Sequence, residues 1–166
     1  PKVDAGFEKI FIHGVTGSGK TVIYFELIKK CLELGKSVLL LVPEINLTPQ
    51  LTDFFCSNLG EFPFFVYHSA ITNSAKYQMR KYLKNNSAPV VVLGVRSAVF
   101  LPVQKIGLVI IDEEHDTSFK QSDRCPYNGR DVAIKKAQLH QCLALLGSAT
   151  PSLENFYAFT QQLHQN

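Results

Sequence analysis

Gly14-Val15-Thr16-Gly17-Ser18-Gly19-Lys20-Thr21 decides the fold of this chain. It meets G-x-x-x-x-G-K-[ST] at every fixed position. Ahead of it, residues 10–13 (IFIH) read as a short buried strand. Behind it, Ile23, Leu27, Ile28, Cys31 and Leu32 recur with helical spacing, and Gly35 then offers a helix-ending residue able to take positive φ. Glycines let the backbone curl so that successive N–H groups turn inward, and the start of the helix adds about half a positive charge. A strand–loop–helix of this composition binds phosphate. Gly14, Val15, Thr16, Gly17, Ser18 and Gly19 form the cradle. Lys20 is expected to reach the β- and γ-phosphates of a nucleotide, and the Thr21 hydroxyl to ligate Mg²⁺.

Outward from this loop, further strands are expected at 38–42, 64–67, 90–93, 108–111 and 142–146. All are nearly continuous apolar runs, the pattern of strands covered on both faces by helices. A helix is expected over 73–84 with Asn73 or Ser74 as its cap, and another from Pro151 capped by Thr150. Alternation of this kind predicts an α/β fold with a doubly wound, mostly parallel sheet. The one long irregular stretch runs from His115 to about Gly129, a length seldom kept unless it works or is disordered.

The run 108–111 ends in Asp112-Glu113-Glu114-His115, so the carboxylates stand at the carboxyl end of a buried strand, where ligands of open α/β sheets bind. Asp112 is expected to hold Mg²⁺ through its water shell, and Glu113 to act as general base on the attacking water.

Composition bounds the rest. The chain has 166 residues, 46% hydrophobic and 19% charged, which suits one globular domain and excludes disordered, collagen-like and coiled-coil classes. The apolar run 38–42 falls far short of the ~20 residues of a membrane helix. Four scattered cysteines without a C-x-x-C pair, and no histidine–cysteine zinc spacing, predict a reduced cytoplasmic protein that holds no zinc. With no leader and a first strand so near its start, the chain reads as an excised domain. Net charge +3 is compatible with nucleic acid. The cationic face of Lys76, Arg80, Lys81 and Lys84 reads as solvated, and His13 and His68 as structural.

These residues also carry a resemblance. Asp112-Glu113-Glu114-His115 resembles the D-E-x-H box of superfamily 2 helicases, and Gly147-Ser148-Ala149-Thr150 their third motif. GVTGSGKT (14–21), PEINLTPQ (43–50), GVRSAVF (94–100), DEEHDTSFKQ (112–121) and GSATPSLE (147–154) are similar, in order, to the replication-restart (primosomal) helicases of that superfamily. The resemblance implies a P-loop NTPase lobe, a RecA-like three-layer α/β/α sandwich spanning residues 1–166 as the first helicase lobe of a larger bacterial protein. It implies ATP and Mg²⁺ as cofactors and 3′→5′ movement on single-stranded and forked DNA. The implied partners are a second helicase lobe and a DNA-binding domain in the same parent chain, and primosome proteins.

His115 is placed to bridge the acidic box to the Ser148–Thr150 turn. Phe119, Lys120, Arg124 and Tyr127 join aromatics to cations after that box. Stacking on unpaired bases is worth ~1–3 kcal/mol per ring, so a DNA-sensing loop is expected there. Arg96 and Ser97 are expected to grip the DNA backbone. The sequence departs from its relatives at Val22, Asn46, Phe119 and Asn128-Gly129, positions read as lying outside the nucleotide chemistry. Two other readings stay open: a non-catalytic nucleotide- or DNA-binding module, which retention of Glu113 disfavours, and a double-strand DNA translocase of the same superfamily.

Overall fold

The computed structural model describes residues 6–15, 17–123 and 125–150. The expectations for Thr16, Arg124 and the helix from Pro151 lie outside them. Six parallel strands carry the architecture: β1 (Glu8–His13), β2 (Ser37–Leu41), β3 (Phe64–Tyr67), β4 (Val91–Gly94), β5 (Ile106–Ile111) and β8 (Leu143–Ser148). Their order across the sheet is β1-β8-β5-β2-β4-β3. β6 (Lys120–Gln121) and β7 (Tyr127–Asn128) form a separate antiparallel pair.

Side chains alternate between the two faces of a strand, and here both faces are covered. Val38, Leu40, Leu108, Ile110, Leu143 and Leu145 pack with Tyr24, Ile28, Cys31 and Leu32 of helix α1 (Lys20–Glu33) and Phe55 of α2 (Pro49–Asn58). Leu39, Leu41, Val109, Ile111, Ala144 and Leu146 pack on the other face with Leu83 of α3 (Asn73–Asn85) and Ala133 and Ala137 of α4 (Gly129–Leu139). Every residue of β2, β5 and β8 is buried, so their unbroken apolar sequences match their surroundings. The result is the three-layer α/β/α sandwich.

Local chemistry sets the helix ends. Thr48 caps α2, its Oγ1 accepting from Leu51 N at 3.3 Å, and Pro49 sits in the first turn. The cap of α3 is Thr72, whose Oγ1 accepts from Ala75 N at 3.2 Å; Asn73 and Ser74, the expected caps, lie inside the helix. The described residues of 115–129, a stretch expected as irregular, carry short regular elements. Asp116 caps a short 3-10 turn (Thr117–Phe119) by accepting from Ser118 N at 2.7 Å, and β6 and β7 follow.

Phe55 is fully buried against the rings of Phe25, Phe54 and Phe64, with centroids 5.4–6.5 Å away. Phe55→Ala is expected to cost ~3–5 kcal/mol, read from urea unfolding of the chain. An unchanged unfolding free energy would contradict this placement.

Candidate active site

The strand order sets the site. β1 and β5 both flank β8, so the loop after β1 and the acidic turn after β5 rise on either side of the end of β8. In the loop, Gly17 (φ 80°) and Gly19 (φ 86°) adopt left-handed backbone, which glycine takes without a Cβ penalty. Gly19 is the cap residue from which α1 starts at Lys20. Nothing of the protein lies within 4 Å of where a Cβ would stand on either glycine, so the space beside the loop is open. Gly14 N donates to Ser148 O at 3.1 Å, joining the loop to the end of β8.

Lys20 is 8% exposed. Its Nζ donates to Gly14 O at 2.6 Å and lies 3.4 Å from Glu113 Oε1. One cleft of about 290 Å³ is lined by Gly17, Ser18, Lys20, Thr21, Asp112 and Glu113, and by Asn46, Thr48 and Leu51 from the segment after β2. The loop and both carboxylates therefore share a single crevice. Asn46, expected to stand clear of the nucleotide chemistry, lines this cleft instead, from the short turn Glu44–Asn46 that follows β2.

Burial raises the Asp112 carboxyl above the usual aspartate range. The hydrogen bond from Tyr24 and the charge of Lys20 oppose that shift, and Glu113 adds to it. Tyr24 Oη donates to Asp112 Oδ1 at 2.9 Å. Burial and these two carboxylates push the Tyr24 phenol far above its usual range, so it remains a donor. Sequence reasoning missed Tyr24. The available signal is its place one helical turn after Lys20, which puts both side chains on one face of α1. A Cβ on Gly147 would collide with Tyr24 Oη, so only glycine in β8 lets the phenol pass to Asp112.

Glu113 is itself in left-handed backbone (φ 46°), a conformation that costs a non-glycine residue ~1–3 kcal/mol unless its surroundings hold it. They do. Glu113 Oε2 accepts from Ala149 N at 3.3 Å, and Glu114 N donates to Gly147 O at 3.0 Å. His115 makes the expected bridge: Nδ1 lies 2.6 Å from Ser148 Oγ, and Nε2 lies 3.2 Å from Thr150 Oγ1. His13 Nε2 meets Ala149 O at 3.1 Å, a structural contact.

The residues expected to face DNA divide. Phe119 is 1% exposed and belongs to the core beneath the sheet, so its ring cannot stack on bases from this position. Arg96 is not a free phosphate grip. Its Nη1 donates to Ser118 O at 2.9 Å and Lys120 O at 2.8 Å, clamping the 3-10 turn. Lys120 is exposed. Tyr127 is half-buried and packs edge-on to Phe100, 5.0 Å between centroids, with Phe100 51% exposed. Phe100, absent from the sequence-based candidates, supplies the exposed ring that Phe119 does not. Ser97 lines a groove of about 190 Å³ with Glu44, Ser69, Arg96, Gln121 and Tyr127. Among the described residues no group of three or more His, Cys, Asp or Glu is placed to hold a metal by itself. No helix there is long and apolar enough to cross a membrane.

The chain is similar to the replication restart protein PriA of Synechocystis sp. (48% identity, 97% of this chain, 19% of that protein). It is similar to those of Bacillus subtilis (44%, 93% and 19%) and Chlamydia trachomatis (44%, 90% and 20%). It thus spans about a fifth of the length of these relatives. The Pyrococcus furiosus Hef helicase domain shares its fold, with a TM-score of 0.59 at 18% identity over 90% of this chain and 31% of that one. A protein-family model described as DEAD/DEAH box helicase matches residues 1–159. The chain belongs to the DEAD/DEAH box helicase family.

Proposed function

We propose that this chain is the ATP-binding first RecA-like lobe of an ATP-dependent 3′→5′ DNA helicase that acts in replication restart and primosome assembly. Its setting would be the bacterial cytoplasm. Its partners would be single-stranded and forked DNA, a second motor lobe and a DNA-binding domain of the same parent chain, and primosome proteins. The observation that carries the reading is the shared cleft, with Lys20 3.4 Å from Glu113 and with Thr21 and Asp112 among its walls. The names of the relatives support the replication role.

Each residue then has its own part in the chemistry. Residues 14–19 offer backbone donors to the phosphates, and Lys20 exchanges Gly14 O for phosphate oxygens. Thr21 and Asp112 would hold Mg²⁺, whose chemistry is to neutralise charge on the phosphates. Asp112 suits a cation, because its carboxylate is desolvated and a nearby positive charge would offset the cost of its own. Glu113 takes the proton of the attacking water, and Lys20 and the loop donors stabilise charge as it develops. His115 links this chemistry to the Ser148–Thr150 turn. Lys120, Arg124, Tyr127, Arg96 and Ser97 lie on the segments we assign to DNA coupling. Phe119 serves there only as the buried anchor of its turn.

A finger arginine from a second lobe can contribute ~10³–10⁵ in rate, so the 166 residues alone should hydrolyse ATP very slowly. In the full-length parent with forked DNA, Lys20→Ala should abolish nucleotide binding and hydrolysis. Glu113→Gln should keep binding and lose ~10²–10⁴ in kcat. DNA-stimulated ATPase surviving in Lys20→Ala would defeat the proposal.

The raised Asp112 carboxyl adds a stability test. A raised carboxyl favours the fold below its unfolded pKa and loses that contribution as pH climbs through the folded value. Asp112→Asn, which can still accept from Tyr24, should therefore raise the nucleotide-free unfolding midpoint at neutral pH. The gain should shrink as pH falls from neutral through the raised Asp112 value and be lost by the time the ordinary aspartate range is reached. A loss of stability at neutral pH would contradict the burial argument.

A further inference from the structure

One buried ion pair has no place in the scheme above. Glu114 is 2% exposed, with its side chain wholly covered, and its Oε2 accepts from Arg130 Nη1 at 3.1 Å. The Arg130 side chain is itself only 16% exposed and also donates from Nε to Asp131 Oδ1 at 3.1 Å. Burying two opposite charges is a poor way to gain stability, since desolvation offsets most of the attraction. Such a pair fixes geometry instead.

The geometry it fixes is that of the acidic turn. Glu114 directly follows Glu113, whose backbone is held left-handed. A pull on the Glu114 carboxylate is therefore a pull on the peptide that aims Glu113. Arg130 comes from the opposite direction. It stands in the first turn of α4, where Asn128 Oδ1 accepts from Arg130 N at 3.0 Å, and Asn128 is also the last residue of β7. Gly129 packs so closely on Arg96 that a Cβ would meet the Arg96 Cβ at 2.9 Å. Arg96 in turn holds the carbonyls of Ser118 and Lys120. The β6–β7 pair, the start of α4 and the acidic turn thus form one connected body, and Arg130 is its link to the acidic turn.

We propose that Arg130, through the buried carboxylate of Glu114, is a positioning residue for ATP hydrolysis that sets the direction of Glu113 according to where the β6–β7 pair and the start of α4 sit. This inference rests on the ATPase reading above. Arg130 is not among the residues that line the cleft, so its loss acts on turnover and leaves nucleotide binding alone. A lysine keeps the charge but makes a single-point contact in place of the planar fork, so it restores function in part.

The test uses the full-length parent protein. Steady-state ATPase with and without single-stranded DNA, and binding of a fluorescent ATP analogue, are measured for wild type, Arg130→Met and Arg130→Lys. Arg130→Met should lower the DNA-stimulated kcat about 10- to 100-fold, the range expected when a reacting group is misplaced by about 1 Å. Analogue affinity and the KM for ATP should stay near wild type, and Arg130→Lys should fall between. If Arg130→Met does not fold, Arg130→Lys decides by its own split of kcat from binding. Wild-type kcat in the folded variants, or equal losses of kcat and analogue binding in Arg130→Lys, would overturn the inference. A wild type without DNA-stimulated hydrolysis would instead defeat the ATPase reading on which it rests.

Discussion

Lys20 and the carboxylates of Asp112 and Glu113 meet across the end of β8, and the rest of the structure serves that meeting. Removing such charges from water costs several kcal/mol per ion, a cost recovered only when each finds partners in good geometry. Here the ammonium is held by Gly14 O and Glu113, and Asp112 by the Tyr24 phenol. The sheet order makes this possible, because β8 sits between β1 and β5 and its Gly147 leaves room for the Tyr24 phenol to reach Asp112. Strands β2, β5 and β8, buried throughout, supply the rigid floor on which the polar ends are set.

Most polar groups of the site find partners within the protein. Lys20 donates to the loop's own carbonyl at Gly14, and Ser18 N donates to Val15 O at 3.0 Å. In the proposed function, binding a triphosphate exchanges these internal partners for phosphate oxygens, so affinity is a difference between two satisfied states. Asp112 is the exception. Its charge is buried: the Tyr24 phenol, the Glu113 backbone and the charge of Lys20 support it, but burial and the like-charged Glu113 outweigh them, which is the setting the proposed cation would relieve. In the proposed function, stability is given up here for cation binding. The His115 bridge and the strained Glu113 turn tie the same site to the segment that follows β8.

The six parallel strands and the phosphate loop were legible because burial on both faces writes itself as unbroken apolar runs and because the loop needs glycines at fixed places. Helix α4 was not legible. It meets the core through Gly129, Ala133 and Ala137, small residues that carry almost no hydrophobic signal. Helix α2 hid for a related reason, since adjacent Phe54 and Phe55 do not reveal which ring faces inward until the neighbouring rings are placed. Within the site, the motif residues were legible by spacing, whereas Tyr24 and Asn46 reach it only through the fold. Composition overstated the long segment after the acidic box: aromatics and cations there suggested a DNA-stacking loop, yet Phe119 is core, and Arg96, expected separately to grip DNA, clamps that segment from the turn after β4. Burial of a single ring in a mixed segment depends on tertiary packing, which a local pattern does not encode.

The most direct measurement is a crystal structure of the full-length parent with a non-hydrolysable ATP analogue and Mg²⁺. The expected result has the β- and γ-phosphates over residues 14–21, Lys20 released from Gly14 O, and one metal ion shared between the Thr21 hydroxyl and the Asp112 carboxylate, directly or through water. Phosphates bound away from the loop, or Thr21 and Asp112 facing different ligands with no common ion, would contradict it.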